Sequence, residues 1–220
     1  MIKCIFLMIA SAILIIINSA QATLIYSNDF ENGAGSEWSS SRIGYDNDTT
    51  HFLGRFGNDT ATLSLTGLPT HDAVTVNFDL ILWDSWDGES TRWGKDYQGL
   101  TADNTQVYEY TFSNFSQTNQ TNPDLSRQLY GKFGGTRRWQ DSLYENYNDG
   151  FSFDHTASTL TLSFYGRCLQ SLGDESWSID NIRVYADNNG TAPVPEPATM
   201  LLFGTGLVGL VGGRMGKKKK

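Results

Sequence analysis

Cysteine, histidine and basic charge are scarce in this 220-residue sequence, and each shortage closes off a class of protein. Of its two cysteines, Cys4 falls in an apolar N-terminal segment, which leaves Cys168 alone in the remainder. One thiol cannot close an intramolecular disulfide, so the fold has to stand on its core and on any metal it binds. Cys168, at the end of the strand-like run 160–166, is expected as a small, half-buried apolar residue. The three histidines, His51, His71 and His155, are isolated along the chain. There is no His-Glu-x-x-His, no Gly-x-Ser-x-Gly elbow and no strand-turn-helix glycine loop. These absences argue against zinc proteases, α/β-hydrolases and phosphate-loop enzymes. Residues 23–195 carry 23 acidic and 10 basic side chains, a charge of −13 within a whole-chain value of −8. So acidic a body repels phosphate, which excludes nucleic acid as a partner and favours divalent cations or neutral ligands. No window shows convincing helical periodicity; the best helical chances are 125–133 and 139–146.

What is present divides the chain into three parts. Residues 1–22 hold Lys3, an apolar run over 5–17, and a small-x-small site at Ala20-Gln21-Ala22. Thirteen apolar residues suit the core of a signal peptide, with cleavage after Ala22 and delivery by the Sec machinery. Residues 191–220 are a linker and a tail: Val194-Pro195-Glu196-Pro197 within the motif 194–199, an apolar Gly-rich helix over 198–215, and a basic end over 214–220. Eighteen residues are just enough for a short membrane helix, and the terminal lysines hold that end in the cytoplasm.

This order of Pro-Glu-Pro, hydrophobic helix and basic end resembles the PEP-CTERM sorting domain of Gram-negative bacteria. The resemblance implies recognition at Pro195-Glu196-Pro197 by an exosortase, a membrane enzyme that removes the tail during export. It implies a chain exported across the inner membrane, anchored transiently through its C-terminal helix, and then placed at the cell surface or outside. It further implies an extracellular or biofilm-matrix setting rich in polysaccharide. Lysines stand where arginines are commoner in that domain.

Between the two ends, residues 23–190, apolar side chains recur with period two. Val74, Val76, Phe78, Leu80 and Leu82 alternate with Thr75, Asn77, Asp79 and Ile81, and Leu160, Leu162 and Phe164 alternate with threonine and serine. In the run 177–185 the apolar residues fall on odd positions up to Ile179 and on even positions from Ile182. A β-bulge at Asp180-Asn181 keeps both sets on one face and turns the two polar side chains toward one spot; a strand buried on both faces is the alternative. Turn signals such as Asn32-Gly33, Asp87-Gly88 and Thr66-Gly67-Leu68-Pro69 separate the strand candidates. The expected fold is all-β, a jelly-roll-like antiparallel sandwich flanked by an N-terminal signal helix and a C-terminal hydrophobic helix.

The opening Asn28-Asp29-Phe30-Glu31, the central Phe78-Asp79-Leu80 leading to Trp83-Asp84-Ser85-Trp86-Asp87-Gly88, and the closing Trp177-Ser178-Ile179-Asp180-Asn181-Ile182 resemble secreted galactose-binding-like and concanavalin-like jelly rolls. Asp84, Asp87, Glu89 and Asp96 place four carboxylates within thirteen residues of a turn-rich loop. Calcium takes about six to eight oxygens of this kind, and the spacing is not that of an EF-hand. If the ends of the sandwich meet as in related jelly rolls, Asp29, Glu31, Asp180 and Asn181 are the further ligands of a structural Ca²⁺ site. Solvated loop acids are the other reading. Trp86, Trp93 and Trp139 sit beside charged or amide residues, where they suit stacking against sugar rings or packing in the core or within the loop. The expectation is a non-enzymatic, carbohydrate-binding surface or matrix protein. A purely structural or adhesive protein and a polysaccharide hydrolase are the competing readings.

Overall fold

The computed structural model describes residues 21–45, 50–131 and 139–188. The cleavage residue Ala20, the sorting motif Val194–Pro197 and both expected flanking helices lie outside them. Among the described residues no helix is long and apolar enough to cross a membrane, and helical structure is confined to single 3-10 turns at Leu125–Arg127 and Tyr147–Asp149.

The described residues form twelve strands in order: β1 Gln21–Asn28, β2 Ile43–Tyr45, β3 His51–Phe56, β4 Thr60–Thr66, β5 Ala73–Asp84, β6 Tyr97–Ala102, β7 Thr105–Thr111, β8 Gln128–Gly131, β9 Asp141–Tyr144, β10 Phe151–Asp154, β11 Thr159–Arg167 and β12 Glu175–Asn188. The smaller sheet runs β4-β11-β6-β7 and the larger β2-β3-β12-β5-β9-β8, with β1 added on β12 and β10 on β5. Every ladder whose register is resolved is antiparallel. The two sheets form a sandwich, the architecture that the period-two pattern implies.

The packing follows from that alternation. In β4 and β11, Leu63 faces Leu162 and Leu65 faces Leu160, all buried, while the threonines and serines between them look outward. Val74, Val76, Phe78, Leu80 and Leu82 of the long β5 enter the same core from the other sheet. At the end of β5 the alternation gives way to burial on both faces. Ile81 and Trp83 join Phe52 and Leu143 in a small cluster apart from the main core, and the Trp83 indole N–H donates to Ser178 Oγ at 2.8 Å.

The register of β12 against β5 shifts between Asp180 and Arg183, and Asn181 sits at φ 49°. Trp177, Ile179, Ile182 and Val184 consequently all reach one core. That is the bulge the change of parity implies, and the head of the strand, residues 175–180, is buried on both faces as well.

Two expectations are corrected. Residues 139–146 contain strand β9, and 125–131 hold one 3-10 turn and strand β8, because short apolar-polar runs pair readily with an existing sheet edge. Cys168 is exposed rather than half-buried: it lies just past the end of β11 at φ 64°, where the chain turns out of the sheet.

Candidate metal centre

Three acids meet where the loop between β5 and β6 closes on the start of β12. Oxygens of Asp87, Asp96 and Glu175 lie within 4.8 Å of one another. Trp86 and Asp87 are successive residues with opposite fates. Trp86 is wholly buried, its indole N–H donating to the Ser176 carbonyl at 2.9 Å, while Asp87 turns toward the acids. Gly88 follows at φ 67°, with no room for a Cβ against the Asn119 carbonyl. The loop then returns, the Asp96 N–H donating to the Gly88 carbonyl at 3.2 Å and Asp96 Oδ2 accepting the Asp87 N–H.

Asp96 and Glu175 are fully buried. Glu175 Oε2 accepts the Gln170 N–H at 2.7 Å. Asp96 Oδ1 and Glu175 Oε1 have no hydrogen-bond partner. Burial, reinforced by the charge of Asp87, pushes the Asp96 carboxyl up to about 7. Burial and then the charge of Asp96 push Glu175 up to about 8, and burial and Asp174 raise Asp87. Such a group is neutralised in one of two ways, by a proton shared between the carboxyls or by a cation among them. The donors are all oxygen, which suits a hard cation such as Ca²⁺ and not zinc or copper.

The other expected ligands lie elsewhere. Asp84 is buried but pairs with Arg55 at 2.5 Å, and its N–H donates to Asp141. Glu89 pairs with Lys95, which holds its carboxyl below the ordinary value. Asp29 is exposed and accepts the Glu31 N–H at 3.3 Å. Glu31 is held low by the N–H and ring of His51. Thr50 links Glu31 to Asp180, and Asn181 donates to Asp79 at 2.8 Å, so these four acids and amides form a separate network around the bulge. The eight expected ligands thus separate, and only Asp87 and Asp96 belong to the triad. Glu175 was missed: it stands 79 residues beyond Asp96, and its one local sign is its place at the head of a Trp-bearing strand.

Among the aromatics, Trp86 is corrected to a core residue. Trp139 is half-buried, edge-on to exposed Phe115 at 5.6 Å. Trp93 is 57% exposed, with the Arg92 guanidinium 4.5 Å from its ring centre. Its carbonyl accepts a hydrogen bond from the Gln170 side chain at 3.0 Å. Gln170 therefore connects the Trp93 tip to Glu175, while Asp87 and Asp96 close the neck of the same loop.

Residues 193–218 match the PEP-CTERM protein-sorting motif. The chain carries this motif at its end, and the match covers that tail alone. No curated protein matches the chain in sequence. Among solved structures, the body is similar to part of dimeric latent PorU from Porphyromonas gingivalis, at 12% identity over 77% of this chain and a TM-score of 0.42. It is also similar to the C-terminal CBM6 of the marine laminarinase LamC from Zobellia galactanivorans, at 14% identity, 76% of this chain, 98% of that one and a TM-score of 0.31. A third is the CBM36-1 domain of a multidomain xylanase from the hindgut metagenome of Trinervitermes trinervoides, at 10% identity, 80% of this chain, all of that one and a TM-score of 0.31. The chain spans 13% of the PorU chain and 18% of a Paenibacillus glucanotransferase that it also resembles.

Proposed function

We propose that the chain is an exported, exosortase-sorted surface protein whose β-sandwich holds a structural calcium ion at Asp87, Asp96 and Glu175 and binds extracellular polysaccharide without turning it over. The single observation that carries the metal assignment is the pair of buried, unpartnered oxygens on Asp96 and Glu175. Leaving one such group unsatisfied costs about 1–3 kcal/mol, and more when it is charged, so a ligand that satisfies both at once is strongly favoured. The three carboxylates supply part of a calcium shell, and loop carbonyls and water complete it.

Polysaccharide binding is supported by Trp93, an exposed ring at the tip of the loop whose neck the cation ties. Sugar C–H faces stack on such rings while hydroxyls find nearby amide and charged groups, here Gln170 and Arg92. The sorting motif supports delivery by the Sec machinery and an exosortase, transient anchoring by the C-terminal segment, and a final position in the cell-surface or matrix compartment.

The test is terbium luminescence and calcium calorimetry on the purified protein and on Asp96→Asn, together with retention on acidic and neutral polysaccharides with and without EDTA. Saturable binding of one ion that Asp96→Asn abolishes, and polysaccharide retention that Trp93→Ala abolishes, are expected. Metal binding without any retention would leave a structural or adhesive role in its place. Release of reducing ends from the polysaccharide would overturn the non-enzymatic reading.

A further inference from the structure

Two of the histidines that stand apart in the sequence meet at the opposite side of the chemistry described above. His71, in the loop between β4 and β5, is buried, and its Nε2 lies 2.6 Å from Nδ1 of His155, in the loop after β10. The rings are 16° from coplanar with centres 4.9 Å apart, which is an edge-to-edge, in-line contact of the two nitrogens rather than a face-to-face stack. His71 Nδ1 lies 2.6 Å from the Pro69 carbonyl, and His155 Nε2 lies 3.1 Å from Asp103 Oδ2. Asp103 is fixed in turn. Its backbone is one of two successive left-handed residues in the two-residue hairpin joining β6 and β7, and its Oδ1 accepts the Thr161 N–H at 2.9 Å.

The protons in this chain of contacts can be counted. A carbonyl only accepts, so His71 Nδ1 carries a hydrogen. One hydrogen lies between the two rings, and one lies between His155 and Asp103. Three protons are one more than two neutral imidazoles and an ionised carboxylate hold. With one proton fewer, one of the three contacts sets lone pair against lone pair. With one more on the rings, N–H meets N–H across 2.6 Å.

We infer that His71, His155 and Asp103 form a proton-held clasp that closes one end of the sandwich and opens as pH rises. The clasp ties β6-β7 of the smaller sheet to the loops flanking β5 and β10 of the larger. It borders a cavity of about 290 Å³ lined by Asp103, Gln106, Ser152, Phe153, Asp154 and His155. Acidic groups stand beside it, Asp103 on the hairpin, Asp72 next to His71, Asp154 on β10, and Asp187 on β12, whose carbonyl holds the Asp72 N–H, while the basic groups of the adjoining strands, Arg183 on β12 and Arg167 on β11, lie farther along them, opposite Asn77 and Tyr97. The clasp is independent of the metal centre, and calcium removal leaves it closed.

Imidazole nitrogen NMR of the purified full-length protein from about pH 5 to 9 reads the protons directly. The expected result is one proton titrating jointly on both rings, with His71 Nδ1 protonated throughout. Independent titration of the two rings, or two neutral rings across the whole range, overturns the proposal. A second measurement uses Asp103→Asn, which carries no charge and whose single amide oxygen can serve either His155 or the Thr161 N–H, so that part of its cost is the same at every pH. The wild type is expected to melt about 2–4 °C higher than this variant at mildly acidic pH, with the difference narrowing as pH rises. A difference independent of pH overturns the clasp and leaves Asp103 as a turn residue.

Discussion

Asp96 accepts the backbone N–H of Asp87 with one carboxylate oxygen, and its other oxygen is buried without a partner. The same acid therefore closes the neck of the loop that carries Trp93 and brings an unneutralised group to Glu175. Closing the loop and collecting charge are one structural event, and the site is set to exchange a shared proton for a cation.

That exchange fixes the pH dependence. In the folded state Asp96 rises from 3.8 to about 7 and Glu175 from 4.5 to about 8. Because both folded values lie above the unfolded ones, the protonated acids contribute stability that is complete below about pH 4 and is lost as pH rises through 7 and 8. Calcium at the proposed site would compete with those protons, so its stabilising effect should grow over the same range. In EDTA the melting temperature should fall from about pH 4 to pH 8 and level off above it. Added calcium should restore it most at pH 9, by about 2.7 kcal/mol when the ion is at 100 times its Kd. A calcium increment that does not change with pH would mean that these acids are not its ligands.

The two loop tryptophans should separate stability from binding. Trp86→Ala removes a fully buried indole and its bond to the Ser176 carbonyl, and should cost about 3–5 kcal/mol in chemical denaturation. Trp93→Ala removes an exposed ring and should change stability by less than about 0.5 kcal/mol while lowering polysaccharide retention. Equal stability losses in the two variants would contradict the assignment of Trp93 to the surface.

The difference between these residues also shows what the sequence could and could not reveal. Alternation identified the core face of β5 and β11, and the change of parity across Asp180-Asn181 located the bulge, because period two is a local property of an extended chain. Trp86 was misread because it lies among Asp84, Ser85 and Asp87, and composition does not say which way each residue of a turning chain points. Glu175 was invisible for another reason: the topology brings the head of β12 beside the β5–β6 loop, and no spacing encodes that pairing. Ile81 was set on the polar face by alternation alone, yet tertiary packing buries it beside Trp83 at the end of β5.

Gly88 and Gly67 form a matched pair for a test of the loop. Both have positive φ, 67° and 71°, so alanine is strained at either one by roughly 1 kcal/mol. At Gly67 a Cβ meets nothing within 4 Å, whereas at Gly88 it runs into the Asn119 carbonyl, which is backbone and cannot move aside cheaply. Gly88→Ala should therefore cost clearly more than Gly67→Ala in denaturation and should weaken calcium binding through its neighbour Asp87. Equal costs for the two variants would show that the loop bends freely at its neck.

Asp180 provides the last prediction, away from the metal triad. It faces Asp79 across β12 and β5 beside a cavity of about 160 Å³, and burial, with the charges of Asp79 and Glu31, pushes its carboxyl from 3.8 up to about 7. The folded value is the higher one, so the protonated acid favours the fold fully below 3.8 and the advantage is lost as pH rises through 7. Asparagine keeps the shape and stays neutral. It can also still accept the Asn181 N–H that Asp180 Oδ1 now receives at 2.7 Å. A tenfold change in proton affinity is worth about 1.4 kcal/mol, and relaxation around the half-open cavity returns part of it. Asp180→Asn should therefore stabilise the protein on the order of 1 kcal/mol at pH 8, by less at pH 5, and give no gain at pH 3.5, below the unfolded value of 3.8, measured by urea unfolding at each pH. A loss at pH 8 would instead mean that ionised Asp180 makes a favourable bond there, and that the bulge depends on its charge.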